Sequence, residues 1–185
     1  MRKVHVFDNI SLDGFFTDAK NDMSWAHKHD EEWNAFASGN ASGQGELLFG
    51  RVTYEMMAAF WPTPQAAQML PQVAAGMNAM HKNVFSRTLD KVTWQNTTLV
   101  KGDLVTEVAR LKQQPGADLV ILGSGSIVSQ LTQARLIDEY QIVLNAIVLG
   151  RGRTLFETVE EKISLKLTKT RAFKNGNVVL WYEPS

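Results

Sequence analysis

The chain has 185 residues, of which 44% are hydrophobic and 21% charged, values typical of a folded globular protein rather than a disordered one. Nineteen basic and nineteen acidic residues give a formal net charge of +0, so no basic excess is present to neutralise a nucleic-acid backbone. The absence of cysteine excludes disulfides, zinc–thiolate sites and a cysteine nucleophile.

No apolar stretch approaches the ~18 residues that a membrane-spanning helix needs, and the N-terminal residues lack the apolar region of a signal peptide. We therefore expect one domain over residues 1–185, a cytoplasmic location, and neither nucleic acid nor membrane as a partner.

The first half of the chain predicts two strands with helical segments after each. In chain order we expect a strand over 3–10, a long loop over 11–25, a helix in "HDEEWNAFAS" that stops at Gly39, a buried strand over 45–50, a helix over 51–60, and an irregular or only partly helical segment over 62–76.

The second half continues the alternation and then becomes rich in β-formers. We expect strands at "KNVFS", "TTLV" and "DLVILGS", a helix over 103–113 with Asp103 as N-cap, a helix in "SIVSQLTQARLI", and a final hairpin that turns at Asn175-Gly176. Strands that alternate with helices before a β-rich end predict an α/β sheet, parallel at first, with an antiparallel edge.

The segment "DLVILGSGSIVSQL" combines a strand, a glycine turn and a helix, the arrangement that presents backbone N–H groups to a phosphate. It is not a Rossmann fingerprint, because the third glycine position is Val128 and the residue about twenty positions on, where an acid is required, is Val143. Alone, the turn is explained either by phosphate binding or by close packing of strand and helix.

Two further strand-to-helix junctions favour a phosphate site. "LLFGRVTYE" places Arg51 and Thr53 after a strand, and "NVFSRTL" places Ser86, Arg87 and Thr88 after the next one. Ligands bind at the carboxyl edge of open α/β sheets, and the guanidinium group of arginine suits phosphate. Three such junctions predict a dinucleotide site, and two arginines favour the 2′-phosphate of NADP over the bare ribose of NAD.

The segments "SLDGFF", "FGRVTYE", "VFSRTL", "LGSGSI" and "DEYQIVLNAIVLGRGRTLF" occur in the order found in the dihydrofolate reductase-like superfamily. The chain most resembles the reductase domain of the bifunctional riboflavin-biosynthesis deaminase–reductase and its stand-alone bacterial relatives. The resemblance implies a single-domain α/β fold with a mostly parallel sheet of about eight strands, an antiparallel C-terminal strand, helices on both faces, and NADPH across the carboxyl edge.

The resemblance also implies roles for residues at matching positions. These are the adenosine-side phosphates for Gly50, Arg51 and Thr53; the adenine ribose and its 2′-phosphate for Ser86, Arg87 and Thr88; the pyrophosphate for Gly123, Ser124, Gly125, Ser126 and Ile127; and a loop near the nicotinamide for Asp13 and Gly14.

A proton donor is expected at the start of the first helix, where dihydrofolate reductases carry a carboxylate shortly after a tryptophan. Asp30, five residues after Trp25, fits this position best and is the candidate catalytic residue. Alternatively, Asp30 is only an N-cap, and Glu31 and Glu32 fit stabilisation of the helix dipole.

Three features receive no functional role from the sequence. His27 and His29 are two residues apart without a third ligand, which predicts no metal site. The roles of Arg151 and Arg153 stay open, because relatives often carry proline where this chain has Ala146. No arginine that would hold a folate glutamate tail is identified.

The first hypothesis for function is an NADPH-dependent reductase acting on a small heterocyclic (pterin- or pyrimidine-like) or carbonyl/imine substrate. The alternative is a catalytically silent nucleotide- or antifolate-binding protein on the same fold. A third is a structural dimer module that binds no cofactor. The resemblance and the β-rich apolar end of the chain lead us to expect a homodimer.

Overall fold

A computed structural model describes residues 1–27, 30–41 and 45–185. Eight strands form one sheet in the order β5-β4-β3-β6-β1-β7-β10-β9, and β2 pairs with β8 in a separate two-stranded ribbon. The strands are β1 Val4–Ser11, β2 Phe15–Asp18, β3 Glu46–Gly50, β4 Lys82–Phe85, β5 Thr97–Val100, β6 Leu119–Leu122, β7 Glu139–Asn145, β8 Gly152–Thr154, β9 Leu165–Ala172 and β10 Val178–Pro184.

The strands from β5 to β7 are parallel, and β10 runs antiparallel to both of its neighbours, β7 and β9. The predicted mostly parallel sheet with an antiparallel C-terminal strand is therefore confirmed. The central strand β1 lies between β6 and β7, with Val6 opposite Ile121 on one side and Tyr140 on the other. The carboxyl ends of six parallel strands consequently share one edge.

Six α-helices cover the two faces of the sheet among the described residues, at α1 Glu31–Ala41, α2 Arg51–Phe60, α3 Pro64–Met69, α4 Pro71–Ala79, α5 Leu104–Gln113 and α6 Gly125–Gln133. Residues of α5 and α6 join the core cluster around Val4 and Val6, whereas α1 packs against Phe7 and Val143 on the opposite face. Residues of α2 and α4 pack around Phe49, which shares this second face. The prediction of helices on both faces is confirmed.

Three local predictions were wrong. The loop over 11–25 contains strand β2, which pairs with β8 more than 130 residues later. The segment over 62–76 forms α3 and the start of α4, because Pro64 and Pro71 occupy first helical positions, where proline starts a helix. Helix α1 does not stop at Gly39 but continues to Ala41, since a glycine inside a helix costs only ~1 kcal/mol.

Among the residues described, no helix is both long and apolar enough to cross a lipid bilayer.

Candidate functional site

Two of the three predicted junctions are bonded to each other at the carboxyl edge of the sheet. The backbone N–H of Gly50, at the end of β3, donates to Ser124 Oγ at 3.1 Å. In return, the Thr53 hydroxyl on α2 donates to the carbonyl oxygen of Gly123 at 3.0 Å. The N-termini of α2 and α6 therefore lie side by side, and the first N–H groups of each helix lack intrahelical acceptors.

Both glycines of the turn have a structural reason to be glycine. Gly123 has φ +65°, a left-handed conformation that side chains disfavour. A Cβ atom at Gly125 would lie 2.8 Å from the ring of Phe16, which β2 places against the start of α6. The close-packing explanation of the turn is thus correct in part, and it does not compete with anion binding at the adjacent helix end.

The third junction follows β4, whose last residue, Phe85, pairs with Gly50. Ser86 Oγ accepts from the backbone N–H groups of Thr88 and Leu89 at 3.2 and 3.0 Å, which folds this segment into a tight turn. Arg87 lies close enough to Asp103 to contribute to the lowered pKa of that carboxyl, although the N–H and hydroxyl of Thr106 contribute more. The arginine of this junction is thus placed at the carboxyl edge.

Arg51 lies at the same edge, half exposed at the start of α2. Its Nη1 contacts Glu55 Oε2 at 2.9 Å, one helical turn along, and the two side chains are 47% and 48% exposed. An exposed pair of this kind contributes only ~0.3–0.5 kcal/mol, so an anionic ligand could replace Glu55 at little cost.

Asp13 ties the loop after β1 to the loop after β7. Its carboxylate accepts from the Ser11 hydroxyl at 2.6 Å and from the backbone N–H groups of Leu149 and Gly150, the latter at 2.7 Å. The Ser11 hydroxyl, followed by those N–H groups, lowers the pKa of Asp13. Gly14, the other predicted residue of this loop, has φ +86° and open space around it.

Replacing Asp13 with alanine should release the loop over 146–150 while leaving the sheet intact. We expect the amide hydrogens of Leu149 and Gly150 to exchange at least ten times faster, because their acceptor is removed. Hydrogen exchange followed by NMR measures this, with Asp22→Ala as the control, since Asp22 accepts from Ser24 within its own loop. Unchanged exchange at both amides would show that Asp13 does not hold the loop. Because the pKa of Asp13 is lowered, the tie persists at neutral pH and is lost as the pH falls below the usual range of aspartate.

Asp30 precedes α1 and acts as its N-cap, since Oδ1 accepts from the backbone N–H of Trp33 at 2.8 Å. Its other oxygen, Oδ2, accepts from Asn175 Nδ2 at 2.6 Å. The capping alternative raised by the sequence is therefore present, and Asp30 is also joined to the turn between β9 and β10. Its role in proton transfer stays a prediction.

Asp8 was missed by sequence reasoning, although it follows Val4 and Val6 on the buried side of β1 and is 1% exposed. The N–H of Asn9 donates to Oδ1, whereas Oδ2 has no hydrogen-bond partner among the described residues. Burial raises the pKa of Asp8 to about 8, so this carboxyl is neutral at pH 7. A polar residue at the third position of a buried alternation was the signal available.

The remaining predicted features have surface contacts only. Arg153 lies in β8 and pairs with Glu157 at 2.8 Å, with both side chains half exposed, and Arg151 is exposed. His27 is exposed, and His29 lies outside the described residues. No group of three or more metal-binding side chains occurs in the part of the chain that the structure describes.

The comparisons with known proteins agree with this architecture. The family model described as the RibD C-terminal domain matches residues 2–179. The uncharacterised protein YyaP of Bacillus subtilis is 26% identical over 174 residues, which cover 94% of this chain and 90% of YyaP.

Among solved structures, a Shewanella sp. PV-4 protein assigned to riboflavin biosynthesis has a TM-score of 0.76 and 24% identity, with 99% of both chains covered. The Thermotoga maritima diaminohydroxyphosphoribosylaminopyrimidine deaminase/5-amino-6-(5-phosphoribosylamino)uracil reductase has a TM-score of 0.71 and 13% identity over 100% of this chain and 57% of its own. Dihydrofolate reductase from Enterococcus faecalis, in complex with NADP(H), has a TM-score of 0.65 and 12% identity over 99% of this chain and 96% of its own.

These matches confirm the dihydrofolate reductase-like fold that the sequence motifs implied. The chain belongs to the RibD C-terminal domain family, whose fold is of the reductase type.

Proposed function

We propose that the protein is an NADPH-dependent reductase that transfers hydride to a small heterocyclic (pterin- or pyrimidine-like) or carbonyl/imine substrate. The observation that carries this proposal is the pair of bonds joining the glycine turn to the start of α2, from Gly50 to Ser124 and from Thr53 to Gly123. Two helix N-termini thereby face one edge of the sheet, an arrangement suited to the phosphates of a dinucleotide.

The residues at this edge fit NADPH in charge and in chemistry. Arg51 and Arg87 supply cations, the hydroxyls of Ser86 and Thr88 supply further hydrogen-bonding groups, and the turn over 123–127 supplies backbone N–H groups. The related fold of an NADP(H)-bound dihydrofolate reductase supports the same placement. When bound, NADPH supplies the hydride, and the protein contributes position and water exclusion.

Asp30 is the residue proposed to handle the proton. Both of its oxygens accept hydrogen bonds, from Trp33 and Asn175, and each oxygen retains a second lone pair for a substrate N–H or O–H group. Asp30 therefore fits a group that orients the substrate and exchanges a proton with it through the unused lone pair.

The cofactor assignment is tested by titrating the protein with NADPH and NADH and following nucleotide fluorescence. We expect NADPH to bind at least tenfold more tightly than NADH. Arg51→Ala and Arg87→Ala should each weaken NADPH binding by roughly ten- to a hundredfold, because a hydrogen bond to a charged group contributes about 1.5–3 kcal/mol.

Arg110→Ala is the matched control. Arg110 is also an exposed helical arginine paired along its own helix, with Glu107 at 2.7 Å, but it lies on α5. Its replacement should leave both affinities unchanged. If neither nucleotide binds the wild-type protein, the reductase proposal fails, and the structural dimer module becomes the better explanation.

A catalytically silent binding protein is the second candidate, favoured by the two hydrogen bonds that already engage Asp30. Tight NADPH binding without NADPH oxidation across a panel of pterins, pyrimidines and quinones would establish it. Oxidation of NADPH with any of these compounds would exclude it. The homodimer and the cytoplasmic location stay predictions.

A further inference from the structure

Two fully buried asparagines lie side by side at the end of the sheet. Asn145 ends β7, and Asn177 comes immediately before β10. Since Val178 pairs with Leu144 in an antiparallel register, the next position places Asn177 beside Asn145. Both residues are 0% exposed.

Three polar atoms of this pair have no hydrogen-bond partner among the described residues: Asn145 Oδ1, Asn177 Oδ1 and Asn177 Nδ2. An unsatisfied buried polar group costs about 1–3 kcal/mol, and native proteins contain few of them. An isosteric leucine at position 177 would avoid the cost of two of these atoms. The pair is thus expensive for the fold and needs an explanation outside it.

The orientation of Asn145 is fixed by its own bonds. Its Nδ2 donates to Asn9 Oδ1 at 3.1 Å and to the carbonyl oxygens of Val143 and Ile10 at 3.2 and 3.3 Å. All the donors of the amide are engaged, so Oδ1 is left as an acceptor. Alternation along the strand puts Asn145 on the same face as Val143, the face that α1 covers.

The pair is linked to Asp30 through Asn175. The backbone N–H of Asn177 donates to Asn175 Oδ1 at 2.9 Å, and Asn175 Nδ2 donates to Asp30 Oδ2 at 2.6 Å. The unpaired amides therefore adjoin the residue proposed to contact the substrate, on the α1 face of the sheet.

We propose that Asn145 and Asn177 are specificity-determining residues of the substrate site, and that they select a flat cyclic urea or lactam. Two amide oxygens require N–H donors from the ligand, and the Asn177 amide nitrogen requires a carbonyl acceptor; such a ring edge carries both. A ring without them leaves the amides unpaired. The inference rests on the proposed function, because it places these residues in the site of that reductase.

Gly176 is the point at which the ligand would enter. A Cβ atom there would lie 3.1 Å from Ala146 Cβ, so the turn carrying Asn177 rests against the loop after β7. Binding requires the turn and the loop to separate, and we expect association to be slow.

The test uses uracil, which carries two N–H donors and two carbonyls, and 1,3-dimethyluracil, which lacks the donors. Both rings are titrated by calorimetry into the wild-type protein and Asn177→Leu, with and without NADPH. We expect uracil to bind the wild-type protein at least tenfold more tightly than 1,3-dimethyluracil. Asn177→Leu should lose that preference while unfolding at the same or a higher denaturant concentration, because no hydrogen bond of the side chain is removed. Asn177→Ala serves as a second variant if the leucine does not fit.

Asn83→Leu is the control. Asn83 is also buried, but its Nδ2 donates to Glu46 Oε2 at 3.2 Å, so its replacement should lower stability and leave uracil binding unchanged. The proposal is overturned if the wild-type protein does not bind uracil, binds both rings equally, or keeps its preference in both Asn177 variants. NADPH binding without uracil binding refutes this inference alone, whereas uracil binding without NADPH binding refutes the proposed function.

Discussion

Replacing Asp8 with asparagine is expected to stabilise the protein by about 2–3 kcal/mol at pH 7. Burial raises the pKa of this carboxyl from its ordinary value of 3.8 to about 8, so it is neutral when folded and ionised when unfolded at that pH. At ~1.4 kcal/mol per pKa unit the linkage costs about 4 kcal/mol, and the extra unpaired N–H of asparagine offsets part of the gain.

The sign of the pH dependence follows from the same shift. Between pH 4 and 8 the folded protein holds one more proton at Asp8 than the unfolded chain does, so this residue lowers stability as the pH rises through that range. Above the folded pKa the effect is constant. The amide of the asparagine variant does not titrate, so the advantage of the variant should grow from pH 4 to pH 8.

Urea denaturation at several pH values measures both effects, with Asp90→Asn, a substitution of an exposed loop residue, as the control for loss of one negative charge. A stabilisation of D8N that is absent, or that is the same at pH 4 and pH 8, would mean that Asp8 is ionised in the folded protein.

Replacing Gly152 with alanine should have the opposite effect, a loss of about 3 kcal/mol or more. A Cβ atom at this position would lie 1.9 Å from the carbonyl oxygen of Thr17 and 3.0 Å from its carbonyl carbon. Both are backbone atoms, so no side-chain rotation relieves the clash. The ribbon between β2 and β8, in which Gly152 pairs with Asp18, must shift or separate.

The ribbon also carries Phe16, whose ring lies against Gly125. We therefore expect G152A to weaken NADPH binding as well as stability. Gly39→Ala is the matched control, because a Cβ there meets no atom within 4 Å and the residue lies inside α1. Alanine at that position should stabilise by about 0.5–1 kcal/mol. Denaturation curves for the two variants that superimpose would contradict this account of Gly152.

The main sheet was predictable because its strands carry local signals. Short apolar runs bounded by glycine or serine mark β3, β4 and β6, and the Asn175-Gly176 turn marks the hairpin of β9 and β10. The ribbon of β2 and β8 has no such signal, since "FFTD" becomes a strand only by pairing with a segment far along the chain. The prediction for 62–76 failed because the effect of proline depends on whether it begins a helix or interrupts one.

The site was predictable to the extent that it follows from topology. Parallel strands present their carboxyl ends to one edge, so three junctions of similar composition were expected to meet, and the Gly50–Ser124 and Thr53–Gly123 bonds join two of them. The raised pKa of Asp8 and the unpaired amides of Asn145 and Asn177 depend on which groups surround them after folding. Such facts have no counterpart in spacing or composition.

The position of β1 in the middle of the sheet sets the order of events during synthesis. This strand pairs with β6 and β7, which begin more than 110 residues later. At the usual rate of translation the apolar β1 waits on the order of 10 s for its first partner, and contacts this distant slow folding in general. Until then the glycine turn and the loop holding Asp13 have no common edge on which to meet. A ribosome stalled before β6 would therefore hold a chain with an aggregation-prone strand and no cofactor site.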